Sequence, residues 1–372
     1  MFIKGGWAIE DILTLYYLPR INSASIYKIV RNYYSFEEML EGEIPPELKP
    51  ALQQGSFSGD SLAGAKDKAN EQAGRCKTNN VDIVTRWHNT YPSLLQEIGL
   101  PPALLFVQGK LRQSDSAVIS MVGKRECSEY GKRVAQDFAG FFAKNDFIVA
   151  SGLARGIDTY SHKGAINAGG VTYAIIASGI DKLSPYSAKD LKDDIVSRGG
   201  AVVSEYPCGE SAKVAYFPQR NRLISGIAKA TIVVESDIKG GGLITAKFAW
   251  EQNREVYAVP GRINSKESAG TNRLIMQQKA KPALSPDMVL EDLGYLAPEA
   301  EQQTMVFDKS ASSYNYNDDE KKIIEIIGLE PIHVDEIAVR LGTPISALLV
   351  NLLNLEMNNI VKSMPGNYYV IS

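Results

Sequence analysis

Between Ser116 and Gly261 short apolar runs alternate with amphipathic stretches, and this alternation constrains the fold more than any other feature. The runs are SAVISMVG (116–123), FIVASG (147–152), VTYAIIAS (171–178), AVVSE (201–205), ATIVVE (230–235) and EVYAVPG (255–261). Near-continuous apolarity over so few residues is what a strand buried on both faces requires. Helical patterns fill the gaps at 128–145, 155–168, near 188–198, near 218–228 and at 244–253. Strands alternating with helices make βαβ units, so the segment predicts a parallel sheet with helices on both faces.

The flanks differ. In 7–18 apolar residues recur at helical spacing, LPRINSAS breaks the pattern, and IYKIVRNYYSFEEML resumes it. This looks like a helix-hairpin-helix or SAM-like module over 1–84, although Arg20 and Asn22 stand where a phosphate-gripping hairpin wants glycine. A packing module is the better reading. Residues 53–80 are polar, with helical stretches and loops expected. Residues 297–317 are polar and aperiodic, a linker by composition. Three short helices and a strand pair turned at Pro365–Gly366 then give 318–372 a winged-helix pattern. Its last helix carries no Lys or Arg between Ile345 and Ile360, whereas a DNA-reading helix needs cations. This module is expected to contact protein. The fold class is therefore α/β: an extended, doubly wound parallel sheet at 85–296 between a small helical domain and a winged-helix-like domain.

Composition removes several function classes. The net charge is −3, so a nucleic-acid partner would need cations gathered in one cleft. Three isolated cysteines (Cys76, Cys127, Cys208) and three histidines offer neither a disulfide framework nor metal-ligand spacing. No long apolar run is present, and the start MFIKGGWAIEDIL lacks a signal peptide's order. A cytoplasmic protein without membrane contact, metal or cofactor is expected.

Glycine-containing turns follow the strands: VGKRECSEYG (122–131), SGLARGID (151–158), SGID (178–181) and KGGGLIT (239–245). Together they fall at the C-terminal edge of the sheet, where doubly wound folds bind ligands. Gly123, Gly152, Gly241 and Gly242 let backbone amides approach an anion, and helix starts near Ser128 and Thr245 add positive dipole ends. Lys124, Arg125 and Arg155 sit in these turns, and Phe217, Arg220, Asn221 and Arg222 (YFPQRNR) open another helix. Glycines also serve tight turns and close packing, but several such turns joined by arginines favour a phosphate site. Neither G-x-G-x-x-G nor G-x-x-x-x-G-K-[ST] is present, so a dinucleotide or P-loop nucleotide is not expected.

In this order, VGKRECSEYG, SGLARGIDTYSH, FPQRNRLISG, GGGLITAKFAWEQNREVYAVPG and AGTNRLI resemble DNA-processing protein A, the DprA/Smf family. WHNTYPSLLQEIGLPPALLFVQG resembles the entry to that family's Rossmann-like domain. The resemblance spans about 85–290 strongly and both flanks weakly. It implies a homodimer that binds single-stranded DNA and loads the recombinase RecA in natural transformation. By position, its phosphate pocket falls on Gly123, Lys124, Arg125, Ser151, Gly152, Arg155, Arg220, Asn221, Arg222, Gly241 and Thr245, with Phe217 to stack on a base. Lys124 stands where the family usually has a small hydroxyl residue, Gly241–Gly242 where a glycine-serine pair is usual, and Lys279 where glycine is common.

Plainer readings stand beside these. Asp158 and His162, four apart on one helix, suit a stabilising contact that orients the Arg155 turn better than an acid/base pair. Glu205 suits holding a neighbouring arginine better than acting as a base. Phe217 has ordinary core burial as its competitor. The alternative function is a nucleotide-monophosphate phosphoribohydrolase, since KGGGLIT resembles that family's P-G-G-x-G-T turn. Those enzymes place a glutamate soon after the threonine, but here the first acid after Thr245 is Glu251. A non-enzymatic protein is the expectation.

Overall fold

The computed structural model describes residues 6–42, 59–113, 115–296, 316–327, 331–358, 360–364 and 366–371. Contacts divide the chain into two compact units, Met1–Pro298 and Glu299–Ser372. Apart from Tyr316 and Asn317, the expected linker at 297–317 lies outside the described residues, as do residues 53–58.

The first unit is built on nine strands: β1 (Asp82–Thr85), β2 (Leu104–Gly109), β3 (Val118–Val122), β4 (Ile148–Ser151), β5 (Thr172–Ile176), β6 (Ala201–Ser204), β7 (Ala230–Val233), β8 (Glu255–Ala258) and β9 (Lys281–Pro282). They lie side by side in the order β1-β2-β6-β5-β4-β3-β7-β8-β9. The strands from β6 across to β9 are parallel, as the alternation predicts. The antiparallel edge made by β1 and β2 was not expected. From β3 the chain winds one way through β4, β5 and β6, then returns beside β3 at β7 and winds the other way. The crevice between the ends of β3 and β7 is thus the topological switch point.

Both faces are covered, which is why the strands read as continuous apolar runs. Val118, Val122, Ala150, Tyr173, Ile175 and Val203 pack with Leu223, Ile224 and Ala246 on one face. Ile119, Met121 and Val149 pack with Phe138, Phe142 and Leu290 on the other. The helices Ile9–Tyr17, Ser23–Asn32, Phe36–Glu41 and Gly59–Thr78 complete that second face: Trp7, Leu13, Ile29 and Ala69 share one cluster with Phe106, Ile176 and Val202. The module expected at 1–84 therefore has no core of its own. Its polar stretch contains one long helix, Gly59–Thr78, which meets the loop after β6 where the Cys76 and Cys208 thiols lie 4.0 Å apart. In the hairpin, Arg20 takes the left-handed conformation (φ 67°), and Asn22 caps the following helix by accepting from the Ser25 amide.

The second unit has the predicted winged-helix pattern. Helices Asp318–Ile326, Val334–Leu341 and Ile345–Met357 pack around Ile323, Ile337, Leu348, Leu352 and Leu355. A three-stranded sheet, β10 (Ile332–His333), β12 (Tyr368–Ile371) and β11 (Val361–Met364) in spatial order, adds one strand to the expected hairpin. Asn317 and Glu320 form a reciprocal capping box at the first helix. Among the described residues no single helix is long and apolar enough to cross a membrane.

His162 joins the helix Ile157–Asn167 to two strands rather than to Asp158. Thr172 Oγ1 donates to the Val149 carbonyl (2.6 Å), so it accepts from His162 Nδ1 at 2.7 Å. This assigns the proton to Nδ1 and leaves Nε2 as a buried acceptor without a partner among the described residues. Burial, and secondarily the Arg220 charge, lowers the His162 pKa to about 3 from 6.5. The unfolded chain thus takes up a proton that the folded chain refuses. Stability from this group is complete above about pH 6.5 and falls by about 1.4 kcal/mol per pH unit as pH drops toward 3. Denaturant titrations from pH 7 to about 4.5 are expected to show this slope in the wild type and lose that part of it in His162→Gln; equal slopes would contradict it.

Candidate nucleic-acid interface

At the switch point the sheet edge is laced together from within. The Lys124 amide donates to the Glu235 carbonyl (2.9 Å), and Lys124 Nζ bridges Asp237 (2.8 Å) and Glu267 (3.3 Å). The hydrogen bond to Asp237, then that to Glu267, raises the Lys124 pKa. Lys124 therefore neutralises carboxylates of its own chain. Gly123 serves packing, since a Cβ there would fall 2.6 Å from Ile157 and 2.9 Å from the Glu235 carbonyl.

The helix start at Ser128, expected to offer its dipole to a ligand, already holds an anion. Glu235 is buried beneath the helix Glu129–Lys144 and accepts from the Ser128 amide (2.9 Å) and hydroxyl. Gly131 gives it room: a Cβ there would lie 2.3 Å from the carboxylate. The turn after β4 is closed in a similar way. Asp158 accepts from the amides of Gly152 (3.1 Å) and Ala154 (3.3 Å), the orienting role expected for it. Ser151 Oγ donates to Met121 O (2.6 Å), joining β4 to β3.

Arg220 belongs to this interior. It is 5% exposed, and its Nη1 donates to the carbonyls of Gly152 (2.7 Å) and Ile175 while Nε reaches Asn221 Oδ1 (3.3 Å). Burial lowers its pKa to about 10, with Asp158 opposing. Burial also pushes the Asp158 carboxyl up, against the Arg220 charge and the loop amides. Arg222 is equally committed. It makes a two-pronged pair with Glu205 (2.6 Å to Oε1) and donates to the Leu100 carbonyl (2.6 Å). Glu205 is an arginine holder, as its position suggested.

What remains facing outward is a smaller set. Arg125 is exposed, with no carboxylate partner among the described residues, and its guanidinium lies 5.5 Å from the centre of the Phe217 ring. Phe217 is half-buried and belongs to none of the core clusters. Tyr206 and Tyr216 stack with ring centres 4.0 Å apart, and Tyr206 OH reaches Gln219, fixing the start of the helix Tyr216–Gly226 that carries Phe217. This support was not singled out in the sequence. Gly241, first residue of the helix Gly241–Glu251, has open space where a Cβ would be, and exposed Lys239 lies just before it. Thr245 is buried in that helix's second turn, away from its first amides. Arg155 lines a separate cleft of about 750 Å³ with Tyr160, Lys163, Asp190 and Asp194, of which Arg125 and Phe217 are no part. Of the twelve expected contacts, the structure brings Arg125 and Phe217 together at the surface; it uses Lys124, Ser151, Gly152, Arg220, Asn221 and Arg222 within the protein. Among the described residues no group of three or more His, Cys, Asp or Glu could hold a metal.

The model of the family "DNA recombination-mediator protein A" matches residues 82–294, and that of the DprA winged helix domain matches 307–367. Protein Smf of Escherichia coli is 34% identical over 288 residues, 75% of this chain and 74% of its own length. The DNA processing protein DprA of Streptococcus pneumoniae is 39% identical over 206 residues, 55% of this chain and 72% of its own. The X-ray structure of S. pneumoniae DprA superposes with a TM-score of 0.63 at 30% identity, covering 76% of this chain and 97% of that one. DNA processing protein A of Helicobacter pylori, described for its single-stranded DNA binding mode, shares the fold (TM-score 0.52, 23% identity, 57% of this chain and 95% of that one). With its parallel sheet, its winged helix and these matches along most of its length, the chain belongs to the DNA recombination-mediator protein A (DprA/Smf) family.

Proposed function

We propose that this chain binds single-stranded DNA at the sheet's C-terminal edge without catalysing a reaction on it. The observation that carries this reading is the unpaired Arg125 guanidinium against the half-buried Phe217 ring. A cation for the backbone beside an aromatic face for a base is the minimal equipment for an unpaired strand. The H. pylori relative's described binding mode supports it. Arg155 and Lys239 are further exposed cations, and the amides of the Gly241 turn are further donors. We further propose, on the strength of the family resemblance, that the protein acts as a cytoplasmic homodimer and loads RecA onto incoming strands during natural transformation, with 318–372 as a protein-contact module.

The phosphoribohydrolase alternative has little to work with. Glu205 is clasped by Arg222, and Glu251 sits at the end of its helix 3.6 Å from Lys247. Neither is a free base beside the Gly241 turn. If nucleoside monophosphates were hydrolysed by the wild type and not by Glu205→Gln, the non-catalytic reading would fall.

Arg125→Ala is expected to weaken binding of a short poly-dT strand by about 1.5–3 kcal/mol, the range for a hydrogen bond to a charged group. Its melting temperature should be unchanged, because the side chain is exposed. Unaltered affinity would remove Arg125 from the interface.

Salt dependence counts the cations. Lys124, Arg220 and Arg222 are held by the protein, so on a strand of about six nucleotides the three exposed cations Arg125, Arg155 and Lys239 should give a slope of log K against log salt near −2.1, from about −0.7 per contact. A slope near −4 on that short strand, from about −0.7 for each of all six cations, would mean that the internal pairs open on binding.

A further inference from the structure

The N-terminal helices carry a second basic surface that the phosphate motifs do not include. A groove of about 600 Å³ lies between the helix Ser23–Asn32 and the segment Arg86–Pro101. Lys28, Arg31 and Arg86 line it, with the amides of Asn32 and Gln96, and no carboxylate does. Lys28 and Arg31 are exposed, three apart on one helix face, and neither has a carboxylate partner among the described residues. Arg86 is fixed in place: its Nη2 donates to the Gln96 carbonyl (2.9 Å) and its guanidinium lies 4.1 Å from the centre of the Tyr27 ring. Tyr27 in turn lies parallel to Trp87, planes 9° apart and centres 6.3 Å apart. Three cations converging without a counter-ion, on a chain of net charge −3, are mutually repulsive until an anion binds.

The groove is joined to the proposed strand site. Its floor includes Gly99 and Pro101, and the carbonyl of Leu100 between them accepts from Arg222 on the Phe217 helix. Five residues of helix, about 7.5 Å of rise, separate Phe217 from Arg222. We propose that this groove is a second backbone contact for the same strand: nucleotides leaving Phe217 pass over Gly99–Pro101, and their phosphates meet Lys28, Arg31 and Arg86. This rests on the single-strand reading above. The three cations and the continuity with Phe217 favour a nucleic acid over an acidic peptide.

The test compares the full chain with Lys28→Glu/Arg31→Glu and with the milder Lys28→Gln/Arg31→Gln. Both sites are exposed, so folding should survive, and unchanged melting and circular dichroism check this. Binding is measured for dT strands of about six and about thirty nucleotides, either side of the span of one such site. The wild type should bind the long strand more tightly. Both variants should lose that advantage, by about tenfold for the charge reversal, and match the wild type on the short strand. The neutral variant's salt slope on the long strand should fall by about 1.4, two contacts at about −0.7 each. A length advantage that survives in both variants would overturn the second contact alone. Equal losses on both strands would also overturn it, since the effect would then not belong to a separate site. If the wild type bound neither strand, the single-strand reading itself would fall, and this inference with it. Binding of a polyglutamate peptide that the variants lose, with long-strand affinity intact, would assign the groove to protein and overturn it too.

Discussion

Two buried carboxylates govern the edge of the sheet. Glu235 lies under the first turn of the helix Glu129–Lys144, taking the position that a bound phosphate occupies in many doubly wound folds. Asp158 closes the turn after β4 and stands opposite Arg220, itself bonded to carbonyls at the ends of β4 and β5. A buried charge is tolerated only when paired and hydrogen-bonded, and removing one partner of such a set typically costs about 3–5 kcal/mol. These groups are therefore structural, and they fix the geometry of the loops above them.

Because the interior anions satisfy the helix start and the loop amides, the ligand surface is confined to what rises above them. Arg125 is attached to a loop whose backbone is pinned at Lys124 by Glu235, and against which Gly156 packs so closely that a Cβ would meet the Lys124 and Arg125 carbonyls at 2.3 Å. Phe217 stands on a helix anchored by Arg220 below and the Tyr206–Tyr216 stack beside it. A rigid base under two outward side chains suits a ligand that is long and repetitive. Such a surface offers a cation and a planar face.

Much of this architecture was legible in the sequence. The parallel strands fall where the apolar runs placed them, because burial on both faces leaves no polar alternation to misread. The antiparallel edge was not visible: LLFVQG sits behind Pro101–Pro102, and Asp82–Thr85 is too short and mixed to stand out. Of the candidate site, the gathering of turns at one sheet edge was legible, and the outward or inward direction of each side chain was not. Sequence shows Arg220 and Arg222 two residues apart, but that both are turned to partners within the protein depends on Asp158 and Glu205, distant in the chain. Had ATIVVE been read together with Gly131, Glu235 would have been suspected, since an acid ending a buried strand needs a partner. The Lys28/Arg31 face was not legible, because only the fold sets Arg86 and Gly99–Pro101 against the helix that carries it.

On the proposed reading this surface takes an unpaired strand through a cation and a half-buried ring, not a duplex through a groove-reading helix. Competition between a dT strand and a blunt duplex of equal length, at fixed salt, tests it most directly. The strand should bind at least about fivefold more tightly, since a stacked base alone contributes about 1–3 kcal/mol that a closed duplex withholds. Equal or tighter binding of the duplex would contradict the account.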